Sequence, residues 1–197
     1  MTDLERPPSS LPGVRYGAVV RHADARGSFR ELWRASAYPA DGIAAELAGI
    51  DRARFVQANL STSAAGVLRG LHYHRGQLDR WVVANGQAFV ALVDVRPVAR
   101  DAGPAAVETR VLRADEWVEI PAGVAHGFLA LEPLELVYLV TAEFDASDEL
   151  GFAWDDPAVG VAWPLPITAT ADGRPIVSER DRTNPTLTEL VAGLRNR

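Results

Sequence analysis

The chain has 197 residues, 48% apolar and 23% charged, with a formal net charge of -6, which fits one ordinary globular domain whose acidity argues against nucleic acid or anionic membrane as a partner. It has no cysteine, and all 20 basic residues are arginine, so disulfides, thiolate nucleophiles, Cys-based metal sites, Schiff-base lysines and a P-loop lysine are excluded. The opening MTDLERPPSS lacks the apolar core of a signal peptide, and no run is long enough to span a bilayer, so a cytoplasmic location is expected.

In chain order, residues 1–13 carry Pro7, Pro8 and Pro12 and read as a flexible N-terminal arm or an edge segment. Residues 14–197 show no composition break and read as a single domain. Val19 to Arg21 leads to the turn Asp24-Ala25-Arg26-Gly27, followed by a loosely alternating Ser28 to Trp33. The Ala-rich stretch with Ile43 and Leu47 predicts a short helix near 41–49. Strands are predicted over Arg54–Leu60 and Val67–His74. Asn85-Gly86 is a favoured two-residue turn pair, so Trp81–Val83 and Ala88–Val95 read as a hairpin. Val107–Leu112, Glu116–Ile120, His126–Leu131 and Leu134–Phe144 continue the series, and Thr186–Val191 reads as a short C-terminal helix. The expected class is all-β, a sandwich, barrel or jelly roll.

Imidazoles are scarce: His22, His72, His74 and His126 are all there are. On a strand, residues i and i+2 share a face, so His72 and His74 project into one cavity or lie exposed together. His-x-His-x4-Asp-x6-Gly runs from His72 through Asp79 to Gly86, and Pro121-x-Gly123-x-x-His126 follows. This pair of motifs resembles the cupin signature, with Asp79 where Glu is usual, and implies a double-stranded β-helix.

A longer resemblance narrows the family. Asp24-Ala25-Arg26-Gly27-Ser28-Phe29-Arg30-Glu31, Phe55-Val56-Gln57-Ala58-Asn59-Leu60-Ser61 and Leu68-Arg69-Gly70-Leu71-His72-Tyr73 are similar to segments of the dTDP-4-dehydrorhamnose 3,5-epimerases. So are Ala125-His126-Gly127-Phe128, Trp154-Asp155-Asp156-Pro157 and Ser178-Glu179-Arg180-Asp181. The resemblance implies inversion of a carbon beside a ketone in a dTDP-4-keto-6-deoxyhexose, without a cofactor, in a homodimer. It makes His72 the base, Asp181 its carboxylate partner and Tyr138 the acid on the opposite face. It gives substrate contacts to Arg26, Phe29, Glu31, Gln57, Asn59, Arg69 and His126. Without the resemblance, Tyr138 reads as core and Asp181 as a solvated acid.

The chain also departs from the family. A lysine that helps stabilise the enolate oxygen has no counterpart, and Arg80 is the nearest replacement. His74 stands where Gln is frequent, and Phe144 where a Tyr is common. Two other readings stay open. One is a metal-dependent cupin using His72, His74, Asp79 and His126 as ligands. The other is a sugar-nucleotide binding protein without catalysis.

Overall fold

The computed structural model describes residues 4–34 and 55–195. Its strands are β1 (Leu4–Glu5), β2 (Arg15–Ala18), β3 (Arg21–Asp24), β4 (Gly27–Arg30), β5 (Gln57–Ser63), β6 (Leu68–Tyr73) and β7 (Asp79–Asn85). β8 (Gln87–Asp94), β9 (Ala106–Arg113), β10 (Glu116–Ile120), β11 (Val124–Ala130), β12 (Leu134–Val140) and β13 (Leu150–Gly151) follow. Three short helices are described: α1 (Arg96–Ala99), α2 (Glu179–Thr183) and α3 (Leu187–Arg195). None is long and apolar enough to cross a membrane. The helix expected near 41–49 lies outside the described residues.

Two sheets face each other. One has the order β1-β2-β10-β7-β12-β5, the other β13-β6-β11-β8-β9, and β3 pairs with β4 as a separate hairpin. From β5 to β12 the chain changes sheet at every step except β8 to β9. That alternation is the double-stranded β-helix expected from the motifs. It also corrects one expectation: β7 and β8 do not form a hairpin, because they lie in opposite sheets. Gly86 serves a different purpose there. Its φ is +86°, and a Cβ would stand 2.2 Å from the Pro133 carbonyl oxygen in the β11–β12 turn. A glycine lets the corner turn in a left-handed conformation while two backbones meet.

Alternation along the strands builds the core. Trp81, Val83, Val90, Leu92, Phe128 and Leu136 point between the sheets and are buried. The outer face of the five-stranded sheet is covered by the C-terminal segment, where Leu187, Leu190 and Val191 lie on one side of α3 and pack with Leu71, Val93 and Leu129. Thr186 and Glu189 form a reciprocal capping box at the start of α3. The Glu189 carboxylate accepts from the Thr186 N–H at 2.8 Å, and the Thr186 hydroxyl accepts from the Glu189 N–H at 3.2 Å.

Of the two readings of the N-terminal residues, the described part takes the edge. β1 pairs antiparallel with β2, Leu11 is buried, and the Glu108 carboxylate accepts from the Ser9 and Ser10 hydroxyls.

Candidate active site

The space between the sheets opens at one end into a cavity of about 320 Å³. Period-two geometry decides what lines it. From the six-stranded sheet come Gln57, Asn59 and Ser61 of β5, Tyr138 with Leu136 and Val140 of β12, and Asp79 with Trp81 of β7. From the five-stranded sheet come Arg69 and His72 of β6 and His126 with Phe128 of β11. Arg69 and His72 are three residues apart, so a regular strand would turn them to opposite faces. A register shift restores them to one: His72 pairs with His126, but Arg69 pairs with Phe128. The extra residue falls at Gly70-Leu71, as in a β-bulge. Gly70 has φ +135°, and a Cβ there would come within 2.6 Å of the Gly127 Cα. Only glycine tolerates both conditions.

His72 is tied to one carboxylate. Its Nε2 is 2.8 Å from Asp181 Oδ1, and the other Asp181 oxygen accepts from the Gly70 N–H at 3.3 Å. Asp181 sits in the first turn of α2, where Ser178 caps the helix by accepting from the Asp181 N–H. Burial pushes the Asp181 carboxyl up, but the hydrogen bond and charge of His72 and the Gly70 N–H outweigh it and hold it below the usual carboxylate range. An ionised Asp181 accepts a hydrogen bond from His72 Nε2–H, which leaves Nδ1 as the basic nitrogen.

Tyr138 stands on the facing sheet, paired with Asn59 of β5 and Trp81 of β7. Burial raises its phenol above the ordinary value, against the lowering effect of Arg69. It therefore keeps its proton at neutral pH. His72 and Tyr138 face the cavity from opposite walls.

His126, His74 and Asp79 form a second group deeper in the fold. His126 is 4% exposed, and burial drives it down to about 4, with the Asp79 charge opposing. It is therefore a neutral imidazole. The turn after His74 is held by Asp148, whose carboxylate accepts from the Arg75 and Gly76 N–H groups.

The structure brings together His72, Asp181, Tyr138, Gln57, Asn59, Arg69, His126 and Phe144. It leaves four expected residues elsewhere. Arg80 alternates away from Asp79 and Trp81 to the outer face of β7. There it is 1% exposed, pairs with Glu119 at 2.9 Å and stacks on Trp117 at 4.0 Å. It cannot stand in for a cavity lysine. Arg26, Phe29 and Glu31 lie on or beside the β3–β4 hairpin. Arg26 pairs with Asp24, Glu31 with Arg34, and Phe29 is 68% exposed. The four-ligand metal set also divides: among the described residues His74, Asp79 and His126 cluster, while His72 belongs to Asp181. Glu149 and Arg180 line the cavity, paired at 2.8 Å, and were not anticipated. Arg180 adjoins Asp181 in a motif already noted. Glu149, in an irregular segment before β13, carries no sequence signal.

Residues 8–189 match the family model described as dTDP-4-dehydrorhamnose 3,5-epimerase. The enzyme of that name from Methanothermobacter thermautotrophicus is 36% identical over 182 residues, covering 88% of this chain and 89% of the relative. That from Neisseria gonorrhoeae is 37% identical over 183 residues, or 90% of this chain, and the chain spans only 51% of that relative's length. Among solved structures, a double mutant of a 3'-monoepimerase from Streptomyces bikiniensis in complex with dTDP superposes with a TM-score of 0.76. It is 30% identical and the match covers 95% of this chain and 90% of that one. With the paired His72 and Asp181 facing Tyr138 inside the expected fold, these likenesses agree on one conclusion: the chain belongs to the dTDP-4-dehydrorhamnose 3,5-epimerase family.

Proposed function

We propose that the protein inverts C3, C5 or both in a dTDP-4-keto-6-deoxyhexose. The observation that carries this reading is the His72–Asp181 pair on one sheet facing Tyr138 on the other. A hydrogen on carbon beside a ketone is acidic because its conjugate base is an enolate. His72 Nδ1 removes that proton, and the Asp181 charge stabilises the imidazolium that forms. Tyr138 then gives its proton to the same carbon from the other side. One C–H bond breaks and one forms on the opposite face, with no change of oxidation state. His72 ends with a proton and Tyr138 without one, so both reset through solvent. Each turnover therefore exchanges the carbon-bound hydrogen with water.

Gln57, Asn59 and Phe144 line the same mouth and suit the hydroxyls and ring of a bound sugar nucleotide. Arg69 donates to the Ser63 hydroxyl and the Thr62 carbonyl. With neutral partners its charge remains available to a phosphate. In a homodimer, the reading assigns Arg26, Phe29 and Glu31 to the neighbouring copy's nucleotide site, which suits the exposure of Phe29 on its hairpin. The cytoplasmic location expected from the sequence is kept.

Product analysis tests the proposal. The dTDP-4-keto-6-deoxyglucose substrate is incubated with the protein and reduced with borodeuteride, and the released 6-deoxyhexoses are separated. Sugars of changed configuration at C3, C5 or both are expected. Recovery of unchanged configurations alone contradicts the reading.

A further inference from the structure

The proposed reaction uses His72, Asp181 and Tyr138 and leaves three buried polar groups in the cavity without a task. His74, Asp79 and His126 are 6%, 4% and 4% exposed. They come from the turn after β6, the start of β7 and the middle of β11, and all three line the cavity. One nitrogen or oxygen atom of each lies within 4.8 Å of the others.

The three groups present acceptors to a common space. His126 Nδ1–H donates to the Val124 carbonyl at 3.1 Å, and His74 Nδ1–H to the Asp148 carbonyl at 3.0 Å. A carbonyl only accepts, so each neutral ring keeps its lone pair on Nε2. Among the described residues, no group donates a hydrogen bond to either Nε2. Two neutral donors hold Asp79, the Gln77 amide at 2.7 Å and the Trp81 indole at 3.1 Å. No described arginine pairs with it, and its carboxylate has room for two further donors. His126 Nε2 is 3.8 Å from Asp79 Oδ2, and His74 Nε2 is 3.8 Å from Oε1 of a second carboxylate, Glu149. Buried acceptors that the fold does not satisfy call for a ligand that carries donors, and the carboxylate calls for one that is positive.

We propose that His74, Asp79 and His126 bind an ammonium group of the substrate, a dTDP-4-keto-6-deoxyhexose with an amino group on C3. The inference rests on the reading of the cavity as a sugar-nucleotide site. An ammonium offers three N–H donors. With charge-assisted bonds of about 2.8 Å, its tetrahedral nitrogen holds three acceptors roughly 4.5 Å apart. The spacings here, 3.8 Å for one pair and none above 4.8 Å, are of that size. A hydroxyl has one donor and leaves two of the three acceptors unmet. Position on the sugar follows from the cavity. Gln57 and Phe144 at the mouth take the nucleotide end, so C3, C4 and C5 reach deepest. C4 is the ketone and C5 carries a methyl group, which leaves C3 for the donor. An ammonium there also sets a positive charge beside the developing enolate oxygen, in a chain that has no lysine. The hydroxyl sugar remains a weaker substrate, since one acceptor still finds a donor.

The test is calorimetric titration with three sugar nucleotides: dTDP-3-amino-3,6-dideoxyglucose, its N-acetylated form and dTDP-6-deoxyglucose. Each has a hydroxyl at C4, so none can react. The amine is expected to bind about tenfold or more tighter than the other two. In Asp79→Asn and His74→Gln, shown to be folded by circular dichroism, that preference falls to about twofold or less. The comparison of the three ligands on the parent protein stands alone if neither variant folds. Equal affinities in the parent overturn the inference, and so does an acetamide that binds as tightly as the amine. An undiminished preference in a folded variant also overturns it, because the amine then lies elsewhere. Deuterium exchange into dTDP-4-keto-6-deoxyglucose, run beside the titrations, separates the two proposals. Exchange without a preference for the amine overturns this inference alone. A preference for the amine without exchange supports the site and removes the epimerase reading. Binding of none of the three overturns both.

Discussion

Replacing Asp181 by Asn removes one charge and leaves the shape of the site in place. The hydrogen bond to His72 is 2.8 Å long, and the carboxylate is 4% exposed. A hydrogen bond to a charged group at such a position contributes about 1.5–3 kcal/mol. At about 1.4 kcal/mol per factor of ten, the loss lowers the rate of proton abstraction roughly 10- to 150-fold. A second effect acts in the same direction. If the Asn amide turns its NH2 toward His72, Nε2 must accept, so the hydrogen moves to Nδ1 and the basic nitrogen is lost. Ser178 still caps α2, because it bonds the backbone N–H of residue 181. The fold therefore survives, with a Tm by circular dichroism lowered by several degrees at most, so exchange is compared in folded protein. The assay is proton NMR of substrate in D2O, following the disappearance of the C3 and C5 signals. An exchange rate within twofold of the parent would refute the assigned role of Asp181.

Three further outcomes follow from the packing. Arg80→Ala takes from buried Glu119 its closer cation, at 2.9 Å, and leaves it Arg15 at 3.6 Å. It costs about 3 kcal/mol or more, a Tm loss on the order of 10 °C, while the exchange rate of the folded protein changes less than about twofold. Loss of exchange at unchanged Tm would return Arg80 to the site. Gly70→Ala places a methyl 2.6 Å from the Gly127 Cα at φ +135°. We expect it to lower both stability and exchange, measured by thermal melt and NMR, because it displaces the bulge that aims His72. Asp115 accepts from Arg21 and Arg30, each at 2.7 Å. Burial raises its carboxyl, but those two arginines outweigh burial and hold it below the usual range. A folded value below the unfolded one gives stability that is full above the unfolded value of about 3.9 and lost as pH falls through the folded one. Asp115→Asn, which tolerates the φ of +75° there, therefore costs about 1 kcal/mol at neutral pH. Urea unfolding should show that difference shrinking below about pH 4; a constant difference contradicts the assignment.

Much of this site was legible in the residues, for definite physical reasons. His-x-His on a strand places both rings in one cavity by the two-residue period, and they do line one cavity. Gln57 and Asn59 keep the same period on β5, and Tyr138 keeps it on β12. Arg80 shows the rule unused: the residue after Asp79 must face the other way, and its burial with Glu119 follows. Arg69 shows the rule suspended. Its cavity position depends on a bulge at Gly70-Leu71 that no local propensity announces, and only resemblance indicated it. The Asn85-Gly86 signal was correct about a turn and wrong about pairing, because turn chemistry is local and the choice of sheet is not. Glu149 was invisible for the same reason. Nothing in an irregular segment marks which of its acids faces a cavity built by distant strands.

The central claim is that His72 exchanges carbon-bound hydrogen with water beside the ketone. It is tested most directly by incubating dTDP-4-keto-6-deoxyglucose in D2O with the parent protein and with His72→Asn. The account predicts deuterium at C3, at C5 or at both with the parent protein. It predicts none above the uncatalysed background with a folded His72→Asn variant. Exchange that persists undiminished in that variant, or no exchange with the parent protein, would contradict it.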